Sequence, residues 1–195
     1  MSSTARFKIW RARHEDGYCV IRPPTDVPKA FQLARGVSRA EGWPSALLCR
    51  MSDDFPKDIQ LPDSYFGASW VIVSPRVRTL LQSRCGPEVE FLGIGIADHK
   101  GRTVAQDCAV VNPLTVVDAI DVPASEVTWN QIRSDLISEC KRLVIDASRV
   151  PDSLQLFRLR HLERLVIARA DLAAQLESAG FVGLDFEDPA VFDGT

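Results

Sequence analysis

No stretch of this 195-residue chain approaches the roughly 20 consecutive apolar residues that span a bilayer. The opening residues, MSSTARFKIWRARHEDG, lack the apolar run of a secretory signal. The expectation is a soluble, cytoplasmic protein without membrane contact. No C-x-x-C pair exists among Cys19, Cys49, Cys85, Cys108 and Cys140. An odd, scattered set argues against a disulfide framework or a zinc site, and predicts reduced, buried thiols. An excess of one charge is also missing. The net charge is -3, so nucleic acid is not the expected partner. There is no G-x-S-x-G elbow, no Walker loop and no H-E-x-x-H helix; His161-Leu162-Glu163 does not make one. Gly93-Ile94-Gly95 lacks the third glycine of a dinucleotide loop. It also leads into a strand, not into the helix N-terminus that would receive a pyrophosphate. No metal, cofactor or catalytic residue set is therefore assigned.

What the chain does contain is ordinary globular composition, 46% hydrophobic and 25% charged. The length suits one compact unit or two tight lobes. One packing unit stands out. Leu165–Phe186 reads as strand, helix, strand. Leu165, Val166 and Ile167 form an apolar run, and Leu172 and Leu176 recur at helical spacing. Gly180 sits where a helix stops in the left-handed region. Trp70–Phe91 repeats the unit. Setting Ile72 on Ile167 brings Val77 onto Leu172, Leu81 onto Leu176 and Phe91 onto Phe186, with Gly86 within one position of Gly180. Ser74 can cap the first helix, with Pro75 at its first position; Arg169 and Ala170 give the second copy no such cap.

The rest follows local signals. Phe7, Ile9 and Tyr18–Ile21 around Asp16-Gly17 read as a β-hairpin. Asp26 is placed to cap a short helix over Pro28–Arg35, closed by Gly36. Ala46–Met51 reads as a strand and Asp53–Ser64 as an acidic loop. Leu92–Ile96 and Thr103–Val111, joined by a turn at Asp98–Gly101, give the clearest hairpin; Asn112-Pro113 should break it. Val116–Val122 follows. Trp129–Cys140, with Ile132, Leu136 and Ile137, has helical spacing. Leu143–Asp146 reads as a strand, and Pro151–Leu156 turns the chain into Phe157–Leu162. Glu187–Thr195 reads as an acidic, weakly ordered tail. These elements predict an α+β fold with mixed or antiparallel sheet, a few short helices and two similar strand–helix–strand units. Residues 1–64 form an N-terminal β-rich segment packed on residues 65–195.

Residues able to carry chemistry stand apart. His14 and His99 fall in predicted turns. Asp118 and Asp121 form a carboxylate pair, or cap the next segment and face solvent. Phe157 and Phe186 are expected in the core, and Arg158 is not expected to be catalytic. Residues 171–195 carry Asp171, Glu177, Asp185, Glu187, Asp188 and Asp193 and no Lys or Arg, whereas residues 1–50 and 141–170 are basic.

Three pieces, in order, carry a family resemblance. The first is Trp70-Val71-Ile72-Val73-Ser74 with its helix, Gly86 and Val89–Phe91. The second is Val110-Val111-Asn112-Pro113 with Asp118-Ala119-Ile120-Asp121. The third is Leu143-Val144-Ile145-Asp146, then Leu156-Phe157-Arg158-Leu159, ending in Gly183-Leu184-Asp185-Phe186. Over about residues 65–187 the chain resembles the bacterial immunity-protein family numbered eleven, typified by a myxobacterial member and formerly a domain of unknown function. The resemblance implies a cytoplasmic, non-enzymatic protein, similar to those encoded beside polymorphic toxins, that binds and neutralises a cognate toxin. The family brings no catalytic residues to carry over. Trp129 and the acidic Glu187, Asp188 and Asp193 are the candidate interface for a toxin. Two other readings stay open: an enzyme whose site is assembled from dispersed Asp118, Asp121, His99 and Arg158, and an interaction or regulatory domain unrelated to toxins.

Overall fold

The computed structural model describes residues 6–193. In chain order the strands are β1 (Phe7–Ala12), β2 (Ile21–Arg22), β3 (Leu48–Met51), β4 (Val71–Val73), β5 (Val89–Ala97), β6 (Thr103–Pro113), β7 (Val116–Val117), β8 (Glu126–Trp129), β9 (Ile137–Arg142), β10 (Leu156–Leu159), β11 (Leu162–Arg169) and β12 (Leu184–Glu187). The α-helices are α1 (Pro75–Arg84) and α2 (Ala170–Ser178). One sheet has the order β12-β1-β11-β10-β7 and the other β2-β3-β5-β6-β4; β8 and β9 form a separate hairpin. Pairing is antiparallel except at β3–β5 and β7–β10. The class is α+β with mixed sheets, as the sequence predicts.

Both strand–helix–strand units form, and both are split. β4 and β5 each pair antiparallel with β6, which lies between them. β11 and β12 flank β1 in the same way. The strands within each unit are therefore parallel to one another, with one antiparallel strand inserted. The spacing is physically natural: a helix about 10 Å across covers two strand separations of about 4.8 Å. The inserted strand follows the unit in one case and comes from the N-terminal segment in the other.

The matched positions have matched environments. Ile72, Ile167, Val77, Leu172, Leu81 and Leu176 are all fully buried. α1 and α2 share a core that also holds Trp10, Val89, Leu184 and Phe186, and Arg84 pairs with Asp171 at 3.3 Å between the helices. Ser74 Oγ accepts from the Val77 N–H and donates to Asp63 Oδ1 at 2.7 Å. α2 has no side-chain cap; Asp171 in its first turn complements the helix dipole instead. Gly180 takes φ +69°, the left-handed stop.

Several local expectations give way to tertiary pairing. The Asp16-Gly17 turn forms, with the Tyr18 N–H bonded to the Glu15 carbonyl. Its flanks do not make a hairpin, because β11 and β12 occupy both edges of β1 while β2 pairs with β3. Asp26 caps nothing. A 3-10 helix runs over Ala30–Arg35 behind Lys29 at φ 55°, and Gly36 closes it at φ 65°. β6 runs two residues past Val111 and ends at Pro113, with Asn112 and Pro113 still in register with Glu90 and Val89. Trp129–Cys140 is no helix. Asn130 Oδ1 accepts from the N–H groups of Ile132 and Arg133, turning the chain into the β8–β9 hairpin. Ile137 is buried while Ile132 is 95% exposed, so the apolar spacing serves no single face.

Leu143–Asp146 contributes one bridge, Ile120 to Ile145, rather than a strand. Asp146 then caps a 3-10 turn at Ala147–Arg149. Phe157–Leu162 reverses at Arg160-His161, with His161 at φ 73°, so β11 starts at Leu162. The acidic end is held down. Asp188 caps a 3-10 turn at Pro189–Val191, and Phe192 is 1% exposed in the core. Gly194 and Thr195, the last residues of the expected tail, lie outside the described residues.

Candidate functional site

β10 reads Leu-Phe-Arg-Leu and is buried along its whole length, which carries Arg158 inside. Arg158 is 4% exposed. Its Nε donates to the Pro113 carbonyl at 3.0 Å, Nη1 to the Glu163 carbonyl at 2.6 Å and Nη2 to Asn112 Oδ1 at 3.4 Å. Asn112, fully buried, donates in turn to the Val37 carbonyl and to Glu90 Oε2. Glu90 also accepts from Ser38 Oγ and the backbone N–H groups of Arg39 and Ala40. A chain of polar contacts thus ties the first sheet to β6 of the second and to the 37–40 loop. Gly36 allows the close approach, since a Cβ there would meet the Pro113 carbonyl at 3.0 Å and Arg158 Cδ at 3.2 Å.

Burial pushes the Arg158 guanidinium down to about 10, with Glu163 acting the other way. Burial alone would raise Glu90, but its hydrogen bonds from Arg39, Asn112, Ser38 and Ala40 outweigh it and hold the carboxyl below its usual value. Arg158 also lines a cleft of about 390 Å³ between the sheets, together with Trp10, Val71, Val111, Arg164 and Val166. The sequence carries no local sign of this network; Asn112-Pro113 reads as a strand breaker, and nothing nearby marks Arg158 as buried.

The dispersed polar residues of the enzyme reading do not meet in one cavity. His99 lines a second cavity of about 480 Å³ with Ile59 and Val104, and its Nδ1 lies 3.3 Å from Asp53. Asp118 and Asp121 line neither cavity. Asp118 faces Arg160 at 3.9 Å, and Asp121 Oδ1 caps the following turn through the Ala124 N–H. His14 Nε2 lies 2.9 Å from Asp58, whose other oxygen accepts from the Gly17 N–H, and the ring packs near Phe55 and Phe66. His161 Nδ1 donates to the Asp135 carbonyl at 2.7 Å, which fixes the proton on that nitrogen because a carbonyl only accepts. Among the described residues no cluster of three or more His, Cys, Asp or Glu is arranged to hold a metal ion. No helix among them is long and apolar enough to cross a membrane.

Of the candidate interface residues, Trp129 lies at the tip end of the β8–β9 hairpin. Trp129 is 38% exposed and packs edge-on against His161. Ile132, which sequence reasoning placed inside a helix, stands almost wholly in solvent at the hairpin tip. The base of the hairpin lies beside the C-terminal end: β9 touches the Pro189–Val191 turn, and the Leu143 N–H bonds to the Pro189 carbonyl. There Glu187 faces Arg11 at 3.2 Å and Asp188 faces Lys8 at 3.7 Å, while Asp193 is exposed.

No curated protein matches the chain. The family model described as Immunity protein family (Imm11) matches it over residues 10–191.

Proposed function

Because the chain belongs to the Imm11 immunity protein family, we propose that it binds and neutralises a cognate bacterial toxin by protein–protein contact, in the cytoplasm and without turnover of a substrate. The single observation that carries this reading is the extent of the match. Residues 10–191 include both split units, the cleft and the β8–β9 hairpin, so the family likeness covers the fold and not one fragment.

The surface supports a binding role. Ile132 gains nothing for folding where it stands. Burying such a side chain against a partner is worth about 1.5–3 kcal/mol. The Asn130 contacts already order the turn that presents it, which lowers the entropy lost on binding. Trp129 beside it has the large, rigid surface typical of interface anchors. Glu187, Asp188 and Asp193 form the proposed rim. Glu187 and Asp188 have internal cationic partners, which moderates the field they send outward; Asp193 extends it.

Co-purification with the product of the adjacent toxin gene tests the proposal. Ile132→Asp and Trp129→Ala should each speed dissociation about tenfold or more, with the melting temperature kept. Neutralising Glu187, Asp188 and Asp193 to Gln, Asn and Asn should slow association and flatten its salt dependence, because rim charge acts on encounter. A protein that neither binds that toxin nor protects the cell expressing it overturns the reading.

A further inference from the structure

The cleft between the sheets has an electrostatic asymmetry that the toxin-binding proposal does not use. Its lining includes Arg11, Arg158 and Arg164, and no Asp or Glu among the described residues. Arg11 is engaged from outside by Glu187. Arg158 and Arg164 form no ion pair with a described residue. Arg158 is held by two carbonyls and one amide oxygen, and Arg164 by the Ile137 carbonyl at 3.0 Å. Three of the five N–H groups on Arg158 are used, which leaves two without a protein acceptor. Neutral acceptors satisfy hydrogen bonds but carry no counter-charge, and the nearby Glu163 offsets the buried Arg158 charge only in part, an expensive arrangement in a low dielectric.

Trp10 is almost fully buried and lines the same wall. The rest of the lining, including Leu33, Val71, Val110 and Val166, is apolar. The rim is closely packed at Gly67, which takes φ +102° and where a Cβ would lie 2.3 Å from the Ile21 carbonyl. The cavity lies within the size range of small-molecule sites.

We propose that this cleft binds an organic anion, a carboxylate or phosphate held by Arg158 and Arg164, with an apolar body lying against the valines of both sheets. The anion supplies the counter-charge that the neutral acceptors do not. Arginine presents a planar fork that suits either head group.

Titration calorimetry on the full-length protein tests this with three probes of one shape: 2-naphthoate, 2-naphthyl phosphate and the neutral 2-naphthamide. At least one anion should bind with one-to-one stoichiometry, and the amide about tenfold more weakly. Whichever anion binds more tightly identifies the head group. Arg158 also braces the fold, so the exposed Arg164 gives the cleaner variant. Arg164→Gln should weaken anion binding about tenfold with the melting temperature kept, and Arg164→Lys should retain most of it. Equal binding of amide and anions, parent-like binding by Arg164→Gln, or no anion binding up to about 10 mM overturns the proposal. No toxin enters the experiment, so its result stands apart from the immunity reading.

Discussion

At the scale of single residues, burial decides the chemistry of the titratable groups. Cys19 and Cys49 are enclosed, and burial pushes both thiols up to about 12; half-buried Cys85, also raised by burial and by Glu88, reaches about 11. All five cysteines are unpaired. Thiol titration of the native protein at pH 8 should therefore find few reactive groups, and rapid labelling of all five contradicts the core assignment. The same shifts predict alkaline instability. A thiol whose folded value lies above its unfolded value, about 9, stabilises fully below pH 9, and that contribution is lost as pH rises toward 12. The melting temperature should fall across this window. Glu90 works with the opposite sign. Its carboxyl is held low in the fold, so its contribution is present above its unfolded value, near 4.5, and is lost as pH falls through the folded one. Glu90→Gln exchanges an acceptor for a donor against several donors and should cost about 1–3 kcal/mol at pH 7. Urea midpoints at pH 7 and pH 4 check it, because the gap between parent and variant should narrow in acid.

At the scale of elements, the two split units lean on one another. Phe186 packs against Trp10 with ring centroids 5.3 Å apart, and Phe157 meets Phe7 edge-on at 5.4 Å. Phe186→Ala and Phe157→Ala should each cost about 3–5 kcal/mol, measured by chemical denaturation. An unchanged melting temperature for Phe186→Ala would mean that β12 is wrongly placed. Leu81 and Leu176 occupy matched positions in one shared core. Each change to Ala should cost about 2–5 kcal/mol, and the double variant should depart from the sum of the two, since neighbours in one cavity couple. The unit boundaries were readable from local chemistry: Ser74-Pro75 opens α1 and Gly180 follows α2. The inserted strands were not, because β1 and β6 reach their places through hydrogen bonds to residues far away in the chain.

At the scale of the whole molecule, the N-terminal segment is part of both sheets. β1 lies between β12 and β11, and β2 and β3 extend the second sheet from β5. We propose that residues 1–64 and 65–195 fold as one cooperative unit. The fragment 65–195 would leave β11 and β12 without their common partner and expose Trp10's side of the shared core. It should show no cooperative thermal transition by circular dichroism, whereas the full chain should unfold in a single step. A fragment that melts cooperatively near the full chain's temperature would establish two separable domains.

What the sequence determined by itself was local. The apolar periods of Trp70–Phe91 and Leu165–Phe186, the cap at Ser74, the stop at Gly180 and the alternation of the Leu92–Val111 hairpin each lie within a short window, where side-chain spacing and backbone preference act. The order of such pieces was also enough to place the chain with the immunity proteins. Only the tertiary structure decided the rest. Ile132, Leu136 and Ile137 satisfy a helical period, yet Asn130 and the pairing of β8 with β9 make a hairpin and put Ile132 in water. Phe192 looks like part of a loose acidic end until the core takes it in. Arg158 shows no unusual neighbours in the chain; its burial, its bonds to Asn112 and two carbonyls, and the cleft beside it arise only when β10, β6 and the 37–40 loop meet. The reason is common to all three. Strand partners and buried-charge partners are chosen across the fold, where free edges and enclosed volume outweigh the preference of any short segment.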